Sequence, residues 1–230
     1  MLYDPLIAEV GTVLLAVLAC WAGYKVYGRN PVVYFLAGAI VWTSLIENFG
    51  VAEGTYTYYT HVGLLGSGYP GFFLWVGLVP FWVEAGWIAV VFTLFILFHE
   101  VLLKDKSPLL KALFTGLLAV NMDLVIDPVA VANNLWSWTE RSIYLLGVPI
   151  DNWVGWFVIV FFFDLIFNFT ILKGKSVFGF GRVEGLVLGE SYSDRAKSAR
   201  FAVRLLVTLV VIAVALSLLQ VALGSMPGSS

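Results

Sequence analysis

The chain has 230 residues, of which 60% are hydrophobic and only 12% charged, with a mean hydropathy of +0.93 and a net charge of −2. Soluble domains carry about 25% charged residues, so a single water-soluble core is excluded, and a near-neutral chain gives no electrostatic footprint for nucleic acid. One cysteine, Cys20, and two histidines, His61 and His99, leave no internal disulfide and no Cys/His metal spacing.

The apolar residues gather in six runs, each close to the roughly 20 residues that cross a bilayer. The first, 6–27, lacks the basic flank and cleavage site of a signal peptide and reads as a retained helix. The second, 31–48, begins at Pro31, a favoured helix-start residue, and carries Glu47 near its outer end. The third, 71–99, is long enough to tilt or to begin with an interfacial stretch. Pro80 falls inside it and is expected to kink it, with Glu84 about midway. The fourth, 108–127, starts at Pro108 and closes on Asp123 and Asp127, with Pro128 as a helix-ending signal. The fifth, 150–172, opens with Asp151 and Asn152, candidate caps, and carries Asp164 and Asn168 past its middle. The sixth, 200–223, follows an amphipathic stretch, Val183–Arg204, read as a cytosolic surface segment. The tail Gly224–Ser230 is polar and expected to be disordered, and no repeat stands out.

These runs predict an all-α fold: a polytopic membrane helix bundle of about six transmembrane helices, forming one domain over residues 1–223. Twelve of the thirteen basic residues fall on one side of it, and only Arg141 on the other. The positive-inside rule then puts both termini on the extracytoplasmic side of a multi-pass protein of the cell membrane.

The acids do not follow the bases. Carboxylates in hydrocarbon cost several kcal/mol, about 2.5–3.5 on insertion scales, so Glu47, Glu84, Asp123, Asp127 and Asp164 should face the bundle interior or water. Asp123 and Asp127 share a helix face, as do Asp164 and Asn168, and Asn152 and Trp156. Two outer loops supply aromatic residues: Tyr56 and Tyr58 in the first, Trp136 and Trp138 in the second. Each has a plain alternative, since Tyr and Trp form belts at membrane interfaces and His61 suits a solvated loop. The mid-span acids Glu84 and Asp164 are the hardest to explain structurally.

An ordered set of segments is more specific. It comprises Trp42, Glu47, Gly50, Gly54, Tyr56 and Tyr58, then Val79-Pro80 with Trp82. It continues through Asp123, Asp127-Pro128-Val129-Ala130, Trp136-Ser137-Trp138, Tyr144, Gly147-Val148-Pro149, Asn152 and Gly155-Trp156. Over residues 40–170 this series resembles the membrane carotenoid biosynthesis proteins, which include bisanhydrobacterioruberin hydratase and γ-carotene 1′-hydratase. The resemblance implies an enzyme that adds water to the terminal C=C of an acyclic carotenoid, giving a tertiary alcohol. It implies no redox cofactor and no metal, and a long apolar polyene taken from the bilayer as substrate.

That chemistry needs an acid, a nearly dry pocket, a means of stabilising a tertiary cation, and one positioned water. Asp127 or Asp123 is the expected general acid, with Glu47 or Asp164 as partner and Glu84 as a further candidate. Tyr56, Tyr58, Trp82, Trp136, Trp138 and Trp156 are expected to line the pocket, their faces able to stabilise a cation. Asn152, Asn168 or a second carboxylate would orient the water and take its proton. A proton- or cation-coupled transporter is the rival from another class. A carotenoid cyclase is the chemical neighbour, because it too begins by protonating an alkene. A retinal protein would need a buried Schiff-base lysine, which the sixth run lacks. Whether the substrate has 40 or 50 carbons, and the oligomeric state, stay open at this point.

Overall fold

The computed structural model describes residues 5–58, 74–139, 143–173 and 194–224. His61, Arg141, residues 183–193 of the amphipathic stretch and the tail after 224 lie outside them. Among the described residues, six helices account for nearly all of the regular structure. They are α1 (Pro5–Tyr27), α2 (Arg29–Ala52), α3 (Phe81–Ile96), α4 (Pro108–Ala132), α5 (Ile150–Phe167) and α6 (Asp194–Gly224). Single π-helical turns, Leu97–Leu102 and Asn168–Leu172, extend α3 and α5. Five segments are long and apolar enough to cross a membrane: Glu9–Tyr27, Arg29–Ala52, Phe81–Leu102, Pro108–Ala132 and Ile150–Leu172. The sixth predicted span lies within α6.

Local chemistry sets the helix ends. Gly28 turns the chain between α1 and α2 at φ 78°, a conformation glycine adopts without a Cβ clash. Ser107 caps α4 by accepting from the Leu110 N–H, with Pro108 in the first turn. Several predicted boundaries are corrected. Pro80 does not kink a helix; it sits just ahead of α3 with extended backbone, because the chain before it forms a small hairpin. Glu84 is therefore in the first turn of α3, not midway along it. Pro128 does not end α4, which runs to Ala132, so Asp127 lies inside the helix. Pro149, not Asp151 or Asn152, occupies the cap position of α5.

Short strands gather at one end of the bundle. β1 (Tyr56–Tyr58) pairs antiparallel with β4 (Trp136–Trp138). β2 (Trp75–Val76) and β3 (Val79–Pro80) form one hairpin, and β5 (Tyr144–Leu145) and β6 (Val148–Pro149) another. The first hairpin is pinned to α2 by Asn48, whose amide donates to the Val76 carbonyl at 3.0 Å and whose Oδ1 accepts from the Leu78 N–H at 2.6 Å. Gly77, at φ 67°, turns against that side chain, and a Cβ there would lie 2.3 Å from Asn48 Oδ1. Gly77→Ala is expected to cost about 1–3 kcal/mol from the left-handed backbone and the lost pin, read as a lower midpoint of unfolding in detergent.

The same unit occurs twice. α2, β1, the β2–β3 hairpin and α3 with its π turn are followed by α4, β4, the β5–β6 hairpin and α5 with its π turn. The match extends to single bonds. Thr55 N donates to Gly50 O at 2.9 Å, and Leu135 N to Ala130 O at 3.0 Å. Gly54 and Asn134, the next residues back, both have positive φ. Phe81 N donates to Leu74 O, and Ile150 N to Ile143 O, closing the two hairpins. Equivalent residues touch one another at three depths. β1 pairs with β4, centred on Thr57 opposite Ser137. Trp87 stacks on Trp156 with centroids 3.9 Å apart and planes 8° from parallel. The Asn168 amide bonds His99 Nδ1 at 2.8 Å. Self-contact between equivalents marks a local two-fold axis running along the bundle. The two units cross in the same direction, since both first helices end at the strands.

Around that axis the core is aromatic. Phe35 stacks on Phe92 at 4.0 Å and meets Phe163 and Phe167 edge-on at 5.1 Å. α1 lies against α3, and Phe201 of α6 packs onto Phe163, Phe167 and the bare face of Gly38. The outward face of α1, including Leu14, Leu15, Leu18 and Trp21, stays exposed, as a lipid-facing surface should be.

Candidate active site

Four of the five predicted acids meet at the strand end of the bundle. Glu47 and Asp127 come from the last turns of α2 and α4, Asp123 from one turn below Asp127, and Glu84 from the start of α3. All four are buried. They come together because the strands draw the ends of α2 and α4 toward the axis, while the hairpins return α3 and α5 beside them.

Three neutral donors surround Glu47. The Tyr56 and Tyr58 hydroxyls donate to its Oε2 at 2.5 and 2.9 Å, and the Trp87 indole N–H to its Oε1 at 2.9 Å. Alternation along β1 makes this possible, because Tyr56 and Tyr58 point to one face while the exposed Thr57 points to the other. Burial first, and the charge of Glu47 second, push both tyrosines well above the usual range. They therefore stay O–H donors at any physiological pH.

Asp123 and Asp127 are held differently. The single Asn152 amide donates to Asp123 Oδ2 at 2.9 Å and to Asp127 Oδ2 at 2.6 Å, using both of its hydrogens. Asp123 Oδ1, fully buried, has no hydrogen-bond partner among the described residues. Glu47 interacts electrostatically with both aspartates. Glu84 bonds the Thr43 hydroxyl and accepts from Ser44 Oγ at 2.9 Å.

Aromatic rings close the centre. Tyr56 meets Trp138 edge-on at 4.9 Å, Tyr58 meets Trp136 at 5.7 Å, and Trp82 stacks on Trp136 at 6.0 Å. The Trp87–Trp156 stack lies beneath Glu47. Next to it, a small apolar void between α2, α3 and α5 is bordered by Ala39, Trp42, Thr43, Trp87, Ile159 and Phe163.

Asp164 is not part of this centre. It lies twelve residues along α5 from Asn152, about 18 Å at 1.5 Å per residue. There it pairs with His99 Nε2 at 2.9 Å, and His99 stacks on Phe95 at 3.9 Å. The sequence reading grouped Asp164 with the outer acids because both lie in apolar spans; the Phe core separates them. That reading also left three residues of the centre without a role. Trp87, Thr43 and Ser44 were legible only from their place on the faces that carry Glu84 and Glu47. No group of three or more His, Cys, Asp or Glu side chains suited to a metal occurs among the described residues.

Membrane-crossing helices with a buried carboxyl centre, roofed by tyrosine and tryptophan, define a multi-pass membrane protein with an internal polar site. The chain belongs to the carotenoid biosynthesis protein family, whose sequence profile matches residues 5–227, nearly its whole length. No curated protein and no solved structure matches it significantly. Its role is thus in carotenoid biosynthesis, and its apolar helices fit a substrate embedded in the membrane.

Proposed function

We propose that this protein is a carotenoid hydratase, adding water across the terminal isopropylidene C=C of an acyclic carotenoid to give a tertiary alcohol. The observation that carries the reading is the Asp123–Asp127–Asn152 centre. Two carboxyls share one amide in a buried, aromatic-walled site. In its acid form Asp127 donates a proton to the less substituted alkene carbon, leaving the positive charge on the tertiary carbon. The faces of Trp136, Trp138 and Trp156 stabilise that charge without trapping it as a covalent adduct. Water then adds to the cation, and its spare proton leaves to a basic oxygen nearby. A dry site favours this sequence because only the water held there competes for the cation.

The small apolar void beside the Trp87–Trp156 stack supports the substrate assignment. Its lining by Ala39, Trp42, Val91, Ile159 and Phe163 is apolar, as the end of a polyene entering between α2 and α5 would require. The test is pigment analysis of cells that accumulate lycopene or bisanhydrobacterioruberin and express this chain. A product heavier by one water is the expected result. An isomer of unchanged mass with altered absorption would make the protein a cyclase, and unaltered pigment with good membrane expression would remove the enzymatic reading.

A further inference from the structure

The duplicated unit makes Glu47 and Asp127 equivalent residues. Each lies in the last turns of the first helix of its unit, nine residues ahead of the first aromatic residue of the paired strands, Tyr56 or Trp136. Thr43 is likewise the counterpart of Asp123, and Trp87 of Trp156. The two half-sites have diverged around this common frame. In the first, every partner of the carboxyl donates to it: two tyrosine hydroxyls and one indole N–H. In the second, two carboxyls compete for one amide, and Asp123 Oδ1 is left without a hydrogen bond among the described residues. A carboxyl ringed by donors is built to hold negative charge. A pair of carboxyls crowded on one amide is built to hold a proton between them.

We infer that the two half-sites divide the reaction: the Asp123–Asp127 half supplies the proton, and Glu47, its counterpart across the local two-fold, positions the attacking water and accepts its proton. This rests on the hydratase reading and assigns within it the group that captures the cation. The steps balance. The Asp127 O–H bond breaks as a C–H bond forms at the alkene CH carbon and the π bond is spent. The water oxygen forms the C–O bond at the tertiary carbon, and one of its protons passes to Glu47. The cycle closes when that proton returns from Glu47 to Asp127, its neighbour across the axis. Geometry allows the water. Two of the three donors bind Oε2, so Oε1, which accepts only from Trp87, keeps a lone pair for it.

The division is tested in D2O with the full chain in membranes and lycopene as substrate, measuring two quantities together. Deuterium in recovered lycopene reports protonation followed by proton loss. Deuterated alcohol reports capture. Glu47→Gln is expected to keep the deuterium exchange while alcohol formation falls at least tenfold, on the order of general-base effects. Asp127→Asn is expected to lower both together, by about 10²–10⁴-fold. Tyr58→Phe removes one donor, keeps the carboxyl, and guards against a Glu47→Gln protein that fails to fold. It is expected to move the exchange-to-alcohol ratio in the same direction by a smaller factor. If Glu47→Gln and Tyr58→Phe fold normally and exchange and alcohol fall together, or neither falls, the division of roles is overturned while the hydratase reading survives. If Asp127→Asn keeps exchange and Glu47→Gln loses it, the roles are reversed. If the wild-type chain yields neither exchange nor alcohol, the hydratase reading itself fails and this inference with it.

Discussion

Asp127→Asn is expected to lower alcohol formation by about 10²–10⁴-fold, the usual contribution of a positioned general acid, while the protein stays folded. The substitution keeps shape and volume. The Asn152 amide can still donate to the new side-chain oxygen in place of Oδ2. What disappears is a transferable proton. Asp123 remains beside the site, so the loss should fall short of complete, and Asp123→Asn/Asp127→Asn together should remove the remainder. The measurement is product formed per folded molecule, with folding followed by size-exclusion chromatography in detergent. Wild-type-like hydration by a folded Asp127→Asn protein would remove Asp127 as the acid.

The second large effect is expected at the other end of the bundle, on stability. Asp164 is fully buried, and its carboxylate meets His99 Nε2 through both oxygens, at 2.9 and 3.1 Å. His99 Nδ1 is held in turn by the Asn168 amide, and Phe95 covers the ring. The network ties the two π turns together across the local axis. Asp164→Ala strips His99 of its partner in the buried interior, which costs about 3 kcal/mol or more. The expected result is a clearly lower unfolding midpoint in detergent, with alcohol formation per folded molecule close to that of wild type. Abolished hydration in a folded Asp164→Ala protein would instead bring Asp164 into the chemistry, despite the roughly 18 Å that separates it from Asn152 along α5.

The π turns fit this structural role. Each widens the helix by about one residue per turn in the stretch where His99 and Asn168 bond each other.

Composition and the spacing of apolar runs were enough to determine a membrane bundle, its approximate spans and the side that carries the basic residues. These are one-dimensional consequences of solvent: a backbone in hydrocarbon must bond to itself, so apolar runs of sufficient length become helices, and charge bias follows the loops. The acids and aromatics were legible too, because a carboxyl inside such a run is costly and needs a reason. Even the duplication left a trace. Val79-Pro80 and Gly86-Trp87 return with the same spacing as Val148-Pro149 and Gly155-Trp156, and Tyr56-Thr57-Tyr58 is answered by Trp136-Ser137-Trp138. The matches are too sparse along the chain to stand out, since the first half-unit places Glu47, Thr43 and Glu84 where the second has Asp127, Asp123 and Trp153.

Only the tertiary structure decided which acids meet. Sequence distance groups Asp164 with Asn152 on one helix, yet the helix rise carries them to opposite ends. It separates Glu47 from Asp127 by about a third of the chain, yet the pairing of Tyr56–Tyr58 with Trp136–Trp138 sets them on either side of one axis. Whether a proline kinks a helix or merely precedes it was likewise settled by the hairpin before Pro80, a contact between residues that no helical period could reveal. The physical reason is the same in each case. Transfer into the membrane fixes helices one at a time, whereas the partners of a buried carboxyl are set by which helices pack together and at what depth.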